Sequence, residues 1–384
     1  MRIDFPLKSP LTKKQWSFMQ SSLASSFIDL EINSNSEFFW CEYENHLDEQ
    51  KITTAVKKLL FICNGIVDGT IFHKGKGEGN FFEDPLPYLI DKRQVIDVGP
   101  GLFQFQGEFL EVFQAVDRYF LQLALNDFNA IEQENPILWP IELFKKINYL
   151  NEFPHQAILT TGLKQNHKVL EDFSVSHEKT NDFNSVLIDK SFEEARYGLQ
   201  PAVCDHCYFG LRGLKDVKNT IYTTQNKVFR NEFSEFNSLD RLCCFTVRDI
   251  IFVGKKNFVL ETRQRLLDAL VYFFDQTGLE FSIETADDPF FTNNYEKKLV
   301  QHSFELKYEI LVKIPFMSRD IAVGSVNLHL DTFGHAFDIS TKDEKLFSGC
   351  IGIGFERILL AFYSQFGTEI ENWPVKLRSV LGLA

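Results

Sequence analysis

The chain has 384 residues, of which 44% are apolar, and a formal net charge of −13. That length suits one large domain with a smaller companion, and the acidic balance argues against a protein that grips nucleic acid along an extended basic footprint. No apolar run approaches the ~18 residues of a membrane span; seven cysteines, an odd number, behind the polar opening Met1-Arg2-Ile3-Asp4-Phe5-Pro6 point to a soluble protein of a reducing, cytoplasmic setting, its thiols free or on a metal.

Residues 1–95 read as a small α+β domain and residues 96–384 as the main one. Residues 26–44 read as two short strands around Asn33-Ser34-Asn35-Ser36. Residues 48–63 read as an amphipathic helix, with Ile52, Val56, Leu59 and Leu60 at helical spacing and Asn64-Gly65 as its stop. The glycines of Lys74-Gly75-Lys76-Gly77-Glu78-Gly79 read as a loop that lacks the Lys-Ser/Thr end of a phosphate-binding P-loop. After Gly99-Pro100-Gly101, residues 108–129 read as one long helix, with Phe109, Val112, Phe113, Val116, Phe120, Leu123 and Ala124 along one face. Pro136 closes that region, Ile137-Leu138-Trp139-Pro140 opens the next, and residues 163–193 read as polar, irregular surface insertions. From Val228 strands dominate, over 228–232, 241–253, 304–312 and 321–330. Residues 263–276 form a helix stopped by Gly278, and residues 350–353 lead into a helix over 356–365 ended by Gly367.

Two segments carry chemistry. In Phe229-Arg230-Asn231-Glu232, strand alternation puts Arg230 and Glu232 on one face, and the return strand sets Arg241, Cys243, Phe245, Val247 and Asp249 on one face. Guanidinium groups bind phosphate oxygens, an aromatic ring stacks on a base, and a carboxylate accepts from an exocyclic amine, so this face suits a nucleoside triphosphate. The segment Ser348-Gly349-Cys350-Ile351-Gly352-Ile353-Gly354-Phe355-Glu356-Arg357 places glycines at a strand-to-helix junction, where a ligand can approach the backbone closely. Arg357 then falls in the first helical turn, the end where a cation needs an anion in front of it.

Together these segments resemble class II aminoacyl-tRNA synthetases. Phe229-Arg230-Asn231-Glu232 with Arg241 and Phe245 resembles their motif 2, and Gly352-Ile353-Gly354-Phe355-Glu356-Arg357 their motif 3. Trp139-Pro140 is similar to motif 1, the dimerisation segment. The closer resemblance is to a zinc-dependent branch: the atypical seryl-tRNA synthetases and the shorter amino acid–carrier-protein ligases. It rests on Pro201-Ala202-Val203-Cys204 with Tyr208, Asp288-Pro289-Phe290-Phe291, Ser325-Val326-Asn327-Leu328-His329 with Phe333-Gly334, and Ser348-Gly349-Cys350, and it spans roughly residues 100–380.

The resemblance implies an α+β fold, a class II antiparallel sheet flanked by helices behind the small N-terminal domain. It implies zinc on Cys204, Asp249 and Cys350 with a fourth position open for the substrate's α-amino group. The family's glutamate is aspartate at position 249, an arm shorter by about 1.5 Å. His206 and Cys207 are read as bystanders, and Cys243 and Cys244 as strand fillers. For ATP, which arrives with Mg²⁺, it implies Arg230 on the α-phosphate, Arg241 and Arg357 on the γ-phosphate, Phe245 against adenine and Glu232 on the adenine amino group. Arg230 and Arg357 would be the catalytic pair, with Ser325 and Asn327 near the substrate and metals. The implied activity is ATP-dependent activation of a small amino acid by a homodimer. The acidic balance, the short stretch after Arg357 and the modest 262–298 segment favour transfer to the phosphopantetheine thiol of a carrier protein. The N-terminal domain favours tRNA. A non-catalytic nucleotide- or protein-binding relative is the alternative from another class, against which the retention of Arg230, Glu232, Phe245 and Arg357 argues.

Overall fold

The computed structural model describes residues 1–12, 15–16, 19–20, 23, 27, 30–43, 47–63, 71–179, 191–231, 238–286, 288 and 304–383. The chain divides into two units, Met1–Thr70 with Asn294–Glu305, and Ile71–Asn293 with Leu306–Ala384.

In the first unit β1 (Arg2–Pro6), β2 (Leu30–Ser34) and β3 (Phe38–Tyr43) form an antiparallel sheet in the order β1-β3-β2. The β2–β3 turn is held by Asn35, whose Oδ1 accepts from the N–H groups of Glu37 and Phe38 at 2.8 and 2.7 Å, the local bonding that makes asparagine a turn residue. The helix Glu49–Cys63 buries Ile52 and Val56 in one core with Phe5, Phe39 and Cys41. Its i, i+4 spacing is what brings those two side chains to one face.

The second unit contains two short ribbons and a large sheet. β5 (Val95–Gly99) pairs with β6 (Leu102–Phe105), and β10 (Tyr197–Leu199) lies between β8 (Leu138–Pro140) and β9 (Leu159–Thr160). The large sheet has eight strands in the order β4-β13-β14-β15-β16-β12-β11-β7. Its members are β4 (Ile71–Gly75), β7 (Ile131–Glu132), β11 (Thr220–Phe229), β12 (Cys244–Gly254), β13 (Phe281–Thr285), β14 (Lys307–Ile314), β15 (Arg319–Leu330) and β16 (Phe347–Gly354). All pairings are antiparallel except the short β7 against β11. This is the α+β architecture with a large antiparallel sheet that the sequence predicts.

Side chains alternate between the two faces of each strand. Ile250 and Phe252 of β12, Ile351 and Ile353 of β16, Val326 and Leu328 of β15, and Ile310 and Val312 of β14 all enter one core. They meet Val112, Val116 and Phe120 of the helix Gly107–Gln122, Leu266, Leu270 and Phe273 of the helix Lys256–Thr277, and Ile358, Leu359 and Phe362 of the helix Phe355–Phe366. The opposite face presents the intervening residues of the same strands and is where the cavity lies. The helix Lys256–Thr277 stops where Gly278 adopts φ 73°, a left-handed cap that glycine takes without steric cost.

Four sequence expectations are corrected. Residues 71–95 lie in the second unit, because β4 pairs with β13 at the edge of the large sheet and Leu86, Leu89 and Val95 enter its core. Lys74 and Gly75 accordingly end a strand rather than open a loop. The long helix is α-helical only to Gln122 and continues as a π-helical turn, Leu123–Asp127, which keeps Leu123, Ala124 and Phe128 in the core. Within 163–193 the stretch His167–Lys179 is a helix. Its apolar stripe is only Val169, Leu170 and Phe173, all half-buried, and Asn166 Oδ1 caps it by accepting from the N–H groups of Lys168 and Val169 at 3.1 and 3.3 Å. Among the described residues no helix is long and apolar enough to cross a membrane.

Candidate active site

One cavity opens on the sheet face away from the helices. Its two ends differ in chemistry.

At one end, Arg230 follows β11. Its N–H donates to Cys243 O at 3.1 Å, its Nε donates to Pro201 O at 3.2 Å, and its guanidinium carbon lies 5.4 Å from the centre of the Phe245 ring. Phe245 sits opposite Val228 in the β11–β12 register. Arg357, in the first turn of the Phe355–Phe366 helix, donates from Nε to Asp240 O at 2.7 Å and from Nη1 to Ala322 O at 3.0 Å. Asp240 pairs with Arg319. Beneath them the Glu356 carboxylate, fully buried, accepts from the backbone N–H and the hydroxyl of Thr246, whose hydroxyl also accepts from Lys227 Nζ at 2.7 Å. Burial raises the Glu356 carboxyl above its ordinary value, with Lys227 and the Thr246 bonds opposing. Arg230, Phe245 and Arg357 all line the cavity. Arg241 does not: the strand begins only at Cys244, since the Cys243 N–H bonds to Gly101 O at 3.1 Å, and Arg241 is left exposed. Glu232 lies outside the described residues.

At the other end, Cys204 precedes the short helix Asp205–Gly210, Asp249 comes from β12 and Cys350 from β16. All three are buried, and their ligand atoms lie within 4.8 Å of one another. The shorter arm of aspartate therefore still reaches the two sulfurs. Asp249 faces Gly352 in the register, and Gly352 faces Ser325 on its other side. A Cβ on Gly352 would come within 2.6 Å of Asp249 Oδ1, so only glycine leaves that carboxylate its place. Asn327, opposite Cys350, donates from Nδ2 to Ser325 Oγ at 3.0 Å and reaches Cys350 Sγ at 3.7 Å. Ser325 and Asn327 thus share this end with the three donors.

Three acidic groups in one buried place perturb one another. Burial drives the Asp249 carboxyl far above the usual range, and the hydrogen bond with Cys350, then burial, raise the Cys204 thiol. Cys350 goes the other way: the bond from Cys204 and the nearby His329 imidazole hold it well below the ordinary thiol value although burial opposes them. Asp205 is pushed up to about 7 by burial. Buried acids of this kind are either held neutral or paired with a cation, and two cysteines with one aspartate are a donor set suited to zinc. Cys207 and His206 stand outside the donor set. Burial pushes the Cys207 thiol up, and packs His206 edge-on to Trp139 with ring centres 6.1 Å apart.

Sequence reasoning missed Lys307 and Glu309. Both line the cavity from β14, and Lys307 Nζ bridges Asp288 Oδ1 and Glu309 Oε1 at 2.9 Å each. The signal was present in Lys307-Tyr308-Glu309-Ile310, where charged and apolar residues alternate with the strand period.

The large antiparallel sheet with its flanking helices has the fold of class II aminoacyl-tRNA synthetase catalytic domains. No protein-family model matches the chain. The type-2 serine–tRNA ligase of Methanococcus maripaludis strain C6 is 25% identical over 354 residues, covering 88% of this chain and 67% of its own. The amino acid–[acyl-carrier-protein] ligase 1 of Bradyrhizobium diazoefficiens is 28% identical over 243 residues, covering 62% of this chain and 72% of its own. Among solved structures, M. kandleri SerRS in complex with A. aeolicus tRNASec superposes with a TM-score of 0.73 at 18% identity, over 99% of this chain and 77% of that one. Seryl-tRNA synthetase from Pyrococcus horikoshii complexed with ATP gives 0.59 at 12% identity, over 87% and 78%. The chain is thus similar in sequence to type-2 serine–tRNA ligases and to an amino acid–[acyl-carrier-protein] ligase.

Proposed function

We propose that the chain activates a small amino acid with ATP to the aminoacyl adenylate and passes it to the phosphopantetheine thiol of a carrier protein. The observation that supports the first step is the shared sheet face: Arg230, Phe245 and Arg357 open into the same cavity as Cys204, Asp249 and Cys350. Phe245 and Asp249 are four residues apart on β12, about 13 Å at strand rise, a distance an extended aminoacyl adenylate can span.

In this reading the substrate carboxylate attacks the α-phosphorus, and the bond to the pyrophosphate breaks. The carboxylate is already ionised, so no general base is needed. Arg230 holds the α-phosphate where charge develops, Phe245 stacks on adenine, and Arg357 holds the γ-phosphate. Mg²⁺ enters with ATP. Zinc on Cys204, Asp249 and Cys350 would supply a Lewis acid for the α-amino group. Ser325 and Asn327 orient the substrate beside it. The working form is a homodimer, whose stoichiometry light scattering would measure.

A second reading gives the aminoacyl group to tRNA. The wider span of the serine–tRNA ligase match, 88% of this chain against 62% for the carrier-protein ligase, favours it. The experiment is amino-acid-dependent exchange of pyrophosphate into ATP across the standard amino acids with zinc present. No exchange with any of them refutes the enzyme reading. Labelled amino acid offered to both tRNA and phosphopantetheinylated carrier protein then decides the acceptor, and label on tRNA alone overturns the carrier-protein choice.

A further inference from the structure

His329 takes no part in the proposed chemistry, yet the fold aims it at the metal end. In the β15–β16 register Leu328 faces Gly349 and Leu330 faces Ser348, so His329 is the extra residue of a β-bulge. Bulges re-aim a side chain at the cost of ladder pairing. Leu330 accommodates this one with φ 53°, an uncommon conformation for a residue with a side chain. The result sets His329 Nε2 3.8 Å from Cys350 Sγ. The other ring nitrogen, Nδ1, is 3.2 Å from the Tyr208 hydroxyl. Tyr208 is fully buried and stacked on Phe333, with ring centres 4.0 Å apart and planes 16° from parallel. His329 itself meets both rings edge-on.

We propose that His329 is a positioning residue for the Cys350 thiolate, oriented by Tyr208. The Tyr208 hydroxyl, 3.2 Å from Nδ1 and itself donating to Gly349 O at 3.4 Å, fixes the ring's orientation and turns Nε2 toward Cys350 Sγ. The sulfur is thereby fixed in direction before a metal arrives. Asn327 Nδ2 approaches the same sulfur at 3.7 Å from the neighbouring inward position of β15. Hydrogen bonds of this kind to a ligand atom orient it and tune the metal, and their loss typically weakens metal binding by about 10–100-fold. The inference rests on the reading of Cys204, Asp249 and Cys350 as a zinc site.

The test uses the full chain and reads metal binding without turnover. Zinc affinity is measured by competition with a chromophoric chelator for the wild type, His329→Leu, His329→Gln and Tyr208→Phe. His329→Leu is expected to hold about one zinc per chain with affinity lower by about 10–100-fold. His329→Gln, which keeps an N–H donor, recovers part of that loss, and Tyr208→Phe loses less than His329→Leu. Cobalt substitution supplies the second readout: the thiolate-to-metal absorption keeps the intensity of two sulfur ligands in every variant. Tyr208→Phe retains the imidazole, so it tests the relay even if His329→Leu fails to fold. Affinity unchanged in both His329→Leu and Tyr208→Phe overturns the proposal. So does a cobalt spectrum in which His329→Leu loses a nitrogen ligand, since the imidazole would then coordinate. A wild-type chain that takes up no zinc removes the metal end itself, a failure distinct from the other two.

Discussion

Thr246 is fastened to Glu356 by three hydrogen bonds: its N–H donates to the two carboxylate oxygens at 3.0 and 2.8 Å, and its hydroxyl donates to one of them at 2.9 Å. The pair joins the strand that carries Phe245 and Asp249 to the helix that carries Arg357, so the two ends of the cavity share one anchor. Glu356→Ala leaves a buried N–H and a buried hydroxyl without this acceptor. The expected cost is about 2–4 kcal/mol, one to two unsatisfied buried groups, read from urea unfolding. A variant as stable as the wild type would mean that water replaces the carboxylate fully.

Arg230 is held over Phe245 by its bond to Pro201 O. That contact fixes the guanidinium before ATP binds. Removing one preorganised donor to a developing charge costs about 10²–10³ in rate. Arg230→Ala is therefore expected to lower the turnover of pyrophosphate exchange by that factor, with less change in the KM for ATP. A rise in KM alone, with turnover intact, would make Arg230 a ground-state binder.

Metal analysis of the purified chain should find about one zinc, as a three-ligand site with an open position requires. Cys350→Ala removes the ligand that β16 supplies and should lose the zinc. Chelation of the wild type should lower its melting temperature, because a ligand bound only by the folded chain stabilises it. A Cys350→Ala protein that keeps its zinc refutes the ligand assignment.

The two ends of the cavity were not equally legible in the sequence. Arg230, Phe245 and Arg357 stand in short contiguous strings, so strand alternation and a strand-to-helix glycine run pointed to them directly. Cys204, Asp249 and Cys350 are far apart in the chain, and only the sheet register brings Asp249 and Cys350 to neighbouring strands. No local spacing encodes that, and resemblance alone named them. The place of β4 is illegible for the same reason: its partner β13 is some 200 residues away, as Phe281 opposite Gly75 shows. His329 shows in the sequence only as the last residue of Ser325-Val326-Asn327-Leu328-His329, because a bulge that re-aims one side chain leaves no periodic trace. Arg241 is a different case: it stands outside the cavity because the chain leaves the strand at Cys243, whose N–H bonds Gly101 O.

Asp338 lies between Lys215 and Lys345, with Nζ atoms at 2.7 and 2.9 Å, and these ammonium groups hold its carboxyl down from 3.8 to about 2. A carboxyl depressed on folding stabilises the fold above its unfolded value and loses that contribution as pH falls through the folded one. The difference in melting temperature between the wild type and Asp338→Asn is thus expected to be constant above pH 5 or so and to shrink between about 4 and about 2. The group is exposed, so added salt should reduce the difference at every pH. A difference that grows on acidification would contradict the ion-pair assignment.

Gly352 and Gly354 share the inward face of β16, yet an added methyl meets different surroundings at each. At Gly352 it would stand 2.6 Å from Asp249 Oδ1, while at Gly354 the nearest atom is Val323 O at 3.5 Å, an ordinary contact. In Gly352→Ala the carboxylate must turn away, because β12 and β16 are locked in register on both sides of it. Overpacking of this kind typically costs about 1–3 kcal/mol, and a displaced ligand weakens metal binding as well. Gly352→Ala is therefore expected to lower both the urea midpoint and the zinc affinity. Gly354→Ala should leave zinc affinity unchanged and act, if at all, on the nucleotide end beside Glu356. Equal zinc affinities in the two variants would show that Asp249 does not need the space Gly352 leaves, and would remove it from the ligand set.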